Sequence, residues 1–359
     1  MFHIETSRYR LELGSDDGLL VYRCGNFRKA LTGPVFEVDG SPLAPVFSSF
    51  ALVSSEKLNN AVTESRFDGI YAARPELTLS ILVRAADASP VLKFKYILRG
   101  SGILTKSQGA RLDYCALRGV RRDALTEVRF SEFNEMLHSF CMNEVPLRDT
   151  AFPHGFTAMG PLLAGTDGRD SYLLAYEHGS QYPDAFMEFR FTPDRAVTLS
   201  AKKGNYLGGT RLDGRGFETV WLDFGMVQGD TDALAAAFRE YQLKYATLNL
   251  ESRKPYIFYN SWCFQERNRF WNKRGYLMDM NEERMLAEID AAHEMGIEVF
   301  VIDTGWYQKC GDWLVNLSRF PDGMKTVKAR LDGYGMKLGL WIGPPHAAVT
   351  SRALANRPD

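Results

Sequence analysis

The chain has 359 residues, 45% of them hydrophobic and 24% charged, with a formal net charge of −1. That length is large for one domain and suits two, and the near-neutral charge leaves no basic footprint for nucleic acid. No apolar run is long enough to span a membrane. Met1-Phe2-His3-Ile4-Glu5 has neither a charged nor an apolar signal region, so a cytoplasmic protein is expected. The five cysteines (Cys24, Cys115, Cys141, Cys263, Cys310) are scattered and odd in number, as reduced thiols would be. The six histidines show no paired spacing, so neither a metal nor a cofactor is expected.

Residues 1 to about 229 read as strands broken by turns. Arg10-Leu11-Glu12-Leu13 and Leu19-Leu20-Val21-Tyr22-Arg23 flank the turn Gly14-Ser15-Asp16-Asp17-Gly18. Val91 to Leu98, Ser171 to Glu177, Ala185 to Phe191 and Glu218 to Leu222 follow, several alternating apolar and polar residues. Alternation predicts one buried and one wet face, the pattern of an antiparallel sandwich. The character changes at Gly229-Asp230-Thr231-Asp232, where an aspartate can cap a helix through Tyr245. Residues 230–255 are therefore expected to link two domains.

From Tyr256 the order is strand, helix, strand, helix, strand. Tyr256 to Tyr259 lead into Asn260-Ser261-Trp262, and a loop is expected from Phe264 to Met280. Asn281 caps the next helix, with Leu286, Ile289 and His293 on one face and Gly296 ending it. Glu298 to Ile302 reads as a strand buried on both faces, ending in Asp303-Thr304-Gly305-Trp306. A helix with Met324, Val327 and Leu331 at helical spacing follows Pro321-Asp322-Gly323, and Met336 to Ile342 form the third strand. Alternating strands and helices predict a parallel sheet with right-handed crossovers. Three strands leave a core unfinished, so residues 256–359 read as the start of a larger α/β unit and the chain as a fragment.

Trp262, Asp303 with Trp306, and Trp341 each follow one of the three strands. In a barrel such positions share one mouth. Indole faces pack on the C–H faces of pyranose rings, and a carboxylate accepts sugar hydroxyl protons. The alternative is that the tryptophans are core and Asp303 a loop acid. Gly100 to Ser107 lacks the glycine that a phosphate-binding loop needs before its lysine. Gly333-Tyr334-Gly335 with Gly339 joins helix to strand, the reverse of a dinucleotide fingerprint. His346 reads as a loop histidine, and Arg267, Arg269, Lys273 and Arg274 as a basic loop.

Tyr259-Asn260-Ser261-Trp262, Phe300 to Trp306, Gly311-Asp312-Trp313, Arg319-Phe320-Pro321-Asp322-Gly323 and Gly335 to Trp341 resemble, in order, motifs of glycoside hydrolase family 36, the melibiase or α-galactosidase family. Residues 1–229 more loosely resemble that family's β-supersandwich, through strand-rich patterning and Tyr176-Glu177-His178-Gly179-Ser180. The resemblance implies an N-terminal antiparallel β-supersandwich followed by an incomplete (β/α)8 barrel at 256–359. It also implies a retaining exo-glycosidase that releases terminal α-galactose from an oligosaccharide or glycoside, with a homo-oligomeric full-length protein. The family's two catalytic aspartates would lie beyond Asp359, leaving this chain inactive alone. Trp262, Asp303, Thr304, Trp306 and Trp341 are the implied substrate-binding residues. Thr304 stands where many members have a second aspartate, and Gly343-Pro344-Pro345 where many carry acids. Both departures bear on which sugar is bound. The rival readings are a transglycosylase, a hydrolase of another α-linked sugar, or a non-catalytic carbohydrate-binding protein.

Overall fold

A computed structural model describes residues 2–15, 18–105, 111–134, 136, 138–149, 157–177, 186–192, 196–202, 209–344 and 346–356. Asp16, Asp17, Lys106, Ser107, His154, His178, Gly179, Ser180, Ala185 and Pro345 lie outside them, and with them parts of several expected turns and loops. The chain divides into two compact units, Met1–Leu250 and Glu251–Asp359.

Among the described residues the strand pairings of the first unit are all antiparallel. One sheet carries Arg10–Ser15, Gly18–Cys24, Phe27–Leu31, Leu112–Arg118, Ala196–Ala201 and Met187–Thr192. A second carries Leu125–Asn134, Leu162–Asp167, Asp170–Tyr176, Leu222–Gln228, Val91–Arg99, Thr78–Ala85 and Thr63–Tyr71. Leu11, Leu20 and Tyr22 from the first and Phe67, Ile81, Phe94 and Phe224 from the second lie in one core. The rings of Tyr22 and Phe224 meet edge to face across it at 5.3 Å. A small sheet of Thr210–Arg211, Ile103–Thr105, Phe36–Val38 and Ser41–Leu43 completes the unit.

Two local expectations change. Val91–Arg99 is buried on both faces, Lys93 included at 4% exposure. Its ammonium pairs with Glu177 (2.9 Å) and lies 5.4 Å from the Trp221 ring, so a charged side chain fills an inside position because its charge is matched. Glu218 to Leu222 splits between strands Phe217–Glu218 and Leu222–Gln228, with Thr219 bonding the Tyr96 amide between them. Helix α1 (Thr231–Tyr241) is capped by Asp230, which accepts from the Ala233 amide at 3.0 Å. Its Leu234 is buried with Leu162, Leu173 and Ala175 of the second sheet. The helix expected as a linker thus belongs to the first unit, because its apolar stripe finds a sheet face there.

The second unit holds parallel strands β1 (Phe258–Asn260), β2 (Val299–Ile302) and β3 (Lys337–Leu340), with β2 in the centre. Helices α3 (Glu282–Glu294) and α4 (Lys325–Gly333) pack Met285, Ile289, Val327 and Leu331 against Phe300 and Ile302. Val299 and Val301, on the other face of β2, are only half-buried, so the strand alternates instead of being buried on both sides. The buried face of α3 centres on Met285 and Ile289, while His293 is exposed and stacks on Tyr334 at 4.0 Å. Asn281 caps α3 through the Arg284 amide (3.0 Å), and Asp322 binds the Lys325 amide (2.9 Å) at the start of α4. No helix among the described residues is long and apolar enough to cross a membrane.

Candidate functional site

The three strand ends are brought side by side by the parallel register. Val301 pairs with both Asn260 and Gly339, and Ile302 pairs with Leu340. The Ser261 amide bonds to Val301 O (3.0 Å) and the Trp341 amide to Ile302 O (3.0 Å). Asn260, Asp303 and Trp341 therefore emerge at the same, C-terminal end of the sheet, the end that carries ligand sites in parallel α/β folds.

Asp303 is 6% exposed and held from several sides. Asn260 Nδ2 donates to Oδ2 at 2.9 Å, the Thr304 amide donates to Oδ1 at 2.6 Å, and the Asp303 amide donates to the buried Ser261 hydroxyl at 2.9 Å. Each carboxylate oxygen thus has one protein donor and retains acceptor capacity for a hydroxyl proton. Asn260 also orders the next turn, since its Oδ1 accepts from the Trp262 amide at 2.7 Å. That amide is one of the donors that open helix α2 (Trp262–Phe270) and have no partner within the helix.

The presence of α2 corrects the loop expected at 264–280. Its buried side chains are Gln265 and Asn268, so the apolar periodicity that signals a helix is missing. Asn268 donates to Asp279 at 2.7 Å, and Arg274 donates to the other oxygen of Asp279 at 2.7 Å. These polar links fold residues 271–280 back onto the helix. Trp262, half-buried, meets Tyr276 edge to face at 6.3 Å. The Tyr276 hydroxyl is raised above its ordinary pKa by burial and then by the nearby carboxylates Glu266 and Asp303.

The aromatic residues after β2 and β3 divide into support and surface. Trp306, expected to offer a face beside the acid, is 4% exposed and packs in the core of the unit. Its indole N–H donates to Trp341 O at 2.8 Å, so it fixes the backbone of the neighbouring strand end. A buried ring has no free face for a sugar, which places Trp306 in the scaffold. Trp313 lies between Trp306 and Trp341, 6.5 Å from each centroid, and Tyr307 packs against it at 4.7 Å. Trp341 is the open end of the row, at 38% exposure.

Thr304 is half-buried and shares a hydrogen bond with Tyr307, whose hydroxyl is pushed up to about 12 by burial and then by Cys310. Gly305 takes a positive φ of 106°, and a Cβ there would stand 2.9 Å from Met280, so only glycine permits the turn after Asp303. His346 is exposed, and its Nδ1 and the Trp341 ring both flank the Gly343 position. Asn260, Ser261 and Trp313 were missed as site residues. Asn260 and Ser261 follow the same strand as Trp262, but nothing in their identity shows that they position Asp303.

Residues 228–359 match the melibiase family. Among curated proteins, α-galactosidase AgaA of Geobacillus stearothermophilus is 30% identical over 107 residues, 27% of this chain and 15% of AgaA. α-Galactosidase Mel36A of Lactobacillus acidophilus is 32% identical over 88 residues, 23% of this chain and 12% of Mel36A. The crystal structure of the A355E variant of AgaA, a GH36 α-galactosidase, in complex with 1-deoxygalactonojirimycin superposes with a TM-score of 0.64 at 14% identity. It covers 100% of this chain, which spans 58% of that one. An α-galactosidase structure from Lactobacillus brevis gives 0.62 at 16% identity, over 99% of this chain and 56% of its own. The solved structures share the fold, antiparallel β unit and partial barrel together. With the ordered strand-end motifs, the match identifies residues 228–359 with the melibiase family, glycoside hydrolase family 36, and the chain as a whole shares the fold of the solved GH36 α-galactosidases.

Proposed function

We propose that this chain forms the sugar-recognising part of a retaining, exo-acting α-galactosidase-type hydrolase acting on terminal α-linked galactose of oligosaccharides. The observation that carries this reading is Asp303, buried and oriented at the sheet end with Trp341 open beside it. Asp303 accepts sugar hydroxyls, and Trp341 and Trp262 supply flat apolar surface for C–H faces. Thr304 offers a neutral hydroxyl where a second charge would tighten the grip on the sugar, and so adjusts which epimer is preferred. The curated relatives' names, α-galactosidases, support the substrate class.

Retaining hydrolysis needs two carboxyl groups about 5 Å apart, one as nucleophile and one as acid/base. Asp303 is the single carboxylate among the three residues that directly follow the strands, and a lone acid cannot fill both roles. We therefore expect residues 1–359 alone to bind galactosides without turning over p-nitrophenyl α-galactoside. Sustained release of p-nitrophenol by the purified chain would overturn this division of labour. Binding is tested with Asp303→Asn, which keeps the shape and removes the charge. One charge-assisted hydrogen bond contributes about 1.5–3 kcal/mol, so affinity for methyl α-galactoside should fall at least roughly tenfold by isothermal titration. An unchanged affinity would make Asp303 a structural acid.

A further inference from the structure

The first unit carries a separate cleft of about 270 Å³, lined by Val35, Phe36, Glu37, Pro42, Arg111, Leu112, Asp113 and Arg190. It opens where strand Phe36–Val38 of the small sheet meets Leu112–Arg118 of the first large one, joined by a bridge between Val35 and Asp113. The pairing of Leu112–Arg118 with Ala196–Ala201 slips between Asp113 and Cys115. Such a bulge re-aims a side chain out of the regular alternation.

Asp113 reaches across the intervening strand. Ser200 Oγ donates to it at 2.6 Å, and Arg190 Nη2 donates to its two oxygens at 3.2 and 3.0 Å. Arg111 lies 2.5 Å from Glu188, itself 2% exposed and also paired with Lys202 at 3.3 Å. The Arg111 Nε–H does not point along its line to Glu188 Oε1, so the pair is an ionic contact without an aligned hydrogen bond. Arg190 Nε is likewise buried with no acceptor. Glu37 is half-buried, and its carboxylate has no hydrogen bond or ion pair among the described residues.

We propose that this cleft is an accessory subsite for one neutral monosaccharide unit, built entirely from residues of the first unit. Size comes first: about 270 Å³ lies just below the range of roughly 300–1,000 Å³ that holds drug-sized ligands, which suits a single sugar ring. Charge comes second. The lining holds two arginines and two acids, so an anion would meet Glu37 and Asp113, and a cation would meet Arg111 and Arg190. A neutral polyol meets neither penalty, because each hydroxyl both donates and accepts. Shape of polarity comes third. Val35, Pro42 and Leu112 give an apolar wall, and the four charged groups give a hydrogen-bonding rim. A pyranose has the matching division, C–H groups on its faces and hydroxyls around its edge.

Within this arrangement Glu37 is the uncommitted acceptor and fixes the orientation of the ring. Arg190 and Asp113, already bonded to each other, form a rigid donor–acceptor pair that needs no reorganisation on binding. Such a subsite would hold one unit of an oligosaccharide or of a neighbouring glycan and raise the local concentration of chain ends.

The test is saturation-transfer NMR on the purified chain with methyl α-galactoside and methyl α-glucoside, and with glucuronate and inorganic phosphate as charged probes. Four proteins are compared: native, Asp303→Asn, and Glu37→Ala and Val35→Trp each added to Asp303→Asn. Val35 is 44% exposed, so a larger side chain there fills the cleft without entering the core. A neutral glycoside should bind weakly, with a Kd on the order of 1 mM or above. Its signal should persist in Asp303→Asn, and its affinity should fall roughly tenfold in Glu37→Ala. Val35→Trp should abolish the Asp303-independent signal at an unchanged melting temperature. Loss of all signal in Asp303→Asn would support the strand-end site and overturn the cleft. Equal binding by all four proteins would overturn it too. Phosphate or glucuronate binding that displaces the glycoside and weakens with salt would show an anion site instead.

Discussion

Raising the pH from 5 to 8.5 should destabilise the first unit markedly, and Asp223→Asn should remove most of that loss. Asp223 lies on strand Leu222–Gln228 at 1% exposure, opposite Lys93 on one neighbouring strand and Ala175 on the other. Glu177 and the α1 residue Tyr241 are close enough to act on it or feel its charge. Burial first, and Glu177 second, push the Asp223 carboxyl up to about 8, while Lys93, already bound to Glu177, only partly offsets them. Its Oδ1 has no partner, as suits a neutral acid better than a carboxylate.

The sign of the effect follows from proton uptake. Below about pH 4 both folded and unfolded states carry the proton, and the group contributes nothing. Between about pH 4 and 8 the unfolded chain ionises while the folded one keeps its proton, so stability falls steadily as pH rises. Above about 8 the loss is complete. A displacement of about four pH units corresponds to something on the order of 5 kcal/mol. At about 2–4 °C per kcal/mol, the native melting temperature should drop by roughly 10 °C across this window from this group alone. Thermal unfolding of native and Asp223→Asn proteins at both pH values measures the difference. Parallel curves for the two proteins would show that Asp223 ionises in the folded state as it does in the unfolded one.

Trp306 and Trp341, which follow the second and third parallel strands, should separate cleanly on mutation. Trp306→Ala removes a large buried ring from the core with Phe300, Ile302 and Phe320, and also the hydrogen bond to Trp341 O. Aromatic-to-alanine changes at such sites cost about 3–5 kcal/mol. Trp341→Ala removes a partly exposed ring at the end of the row and should cost less than about 1 kcal/mol, while weakening glycoside binding. Denaturant unfolding followed by glycoside titration reads both quantities. If Trp341→Ala lowered stability as much as Trp306→Ala, Trp341 would belong to the core and the open surface beside Asp303 would be lost.

The order of strands and helices after Tyr256 was legible because the first two strands are short aromatic or β-branched runs, the third lies in a short apolar stretch after the Gly333-Tyr334-Gly335 stop, and the flanking helices repeat their apolar residues. Asn281 and the aspartates at 230 and 232 marked helix starts because a short polar side chain before an apolar stripe has one efficient use, binding the first free amides; the structure chose Asp230 of the two and added Asp322 at the start of α4. The same local logic placed Asp303 and Trp341 after successive strands. It failed at α2, whose inward face is Gln265 and Asn268, because a helix held by polar contacts leaves no apolar period to read.

Only the packed structure separated Trp306 from Trp341, since both are indoles after a parallel strand and just one has the helices α3 and α4 against its ring's side of the sheet. Packing also decided Lys93 and Asp223, which the alternation of their strands leaves indistinguishable from solvent-facing residues. Their burial depends on α1 lying across strands that are distant in sequence, and no pattern within either strand records that contact. Sequence by itself determined the type and order of elements, because those follow from neighbours a few residues away. Tertiary structure decided which polar and aromatic side chains face water, because that depends on what the rest of the chain lays over them.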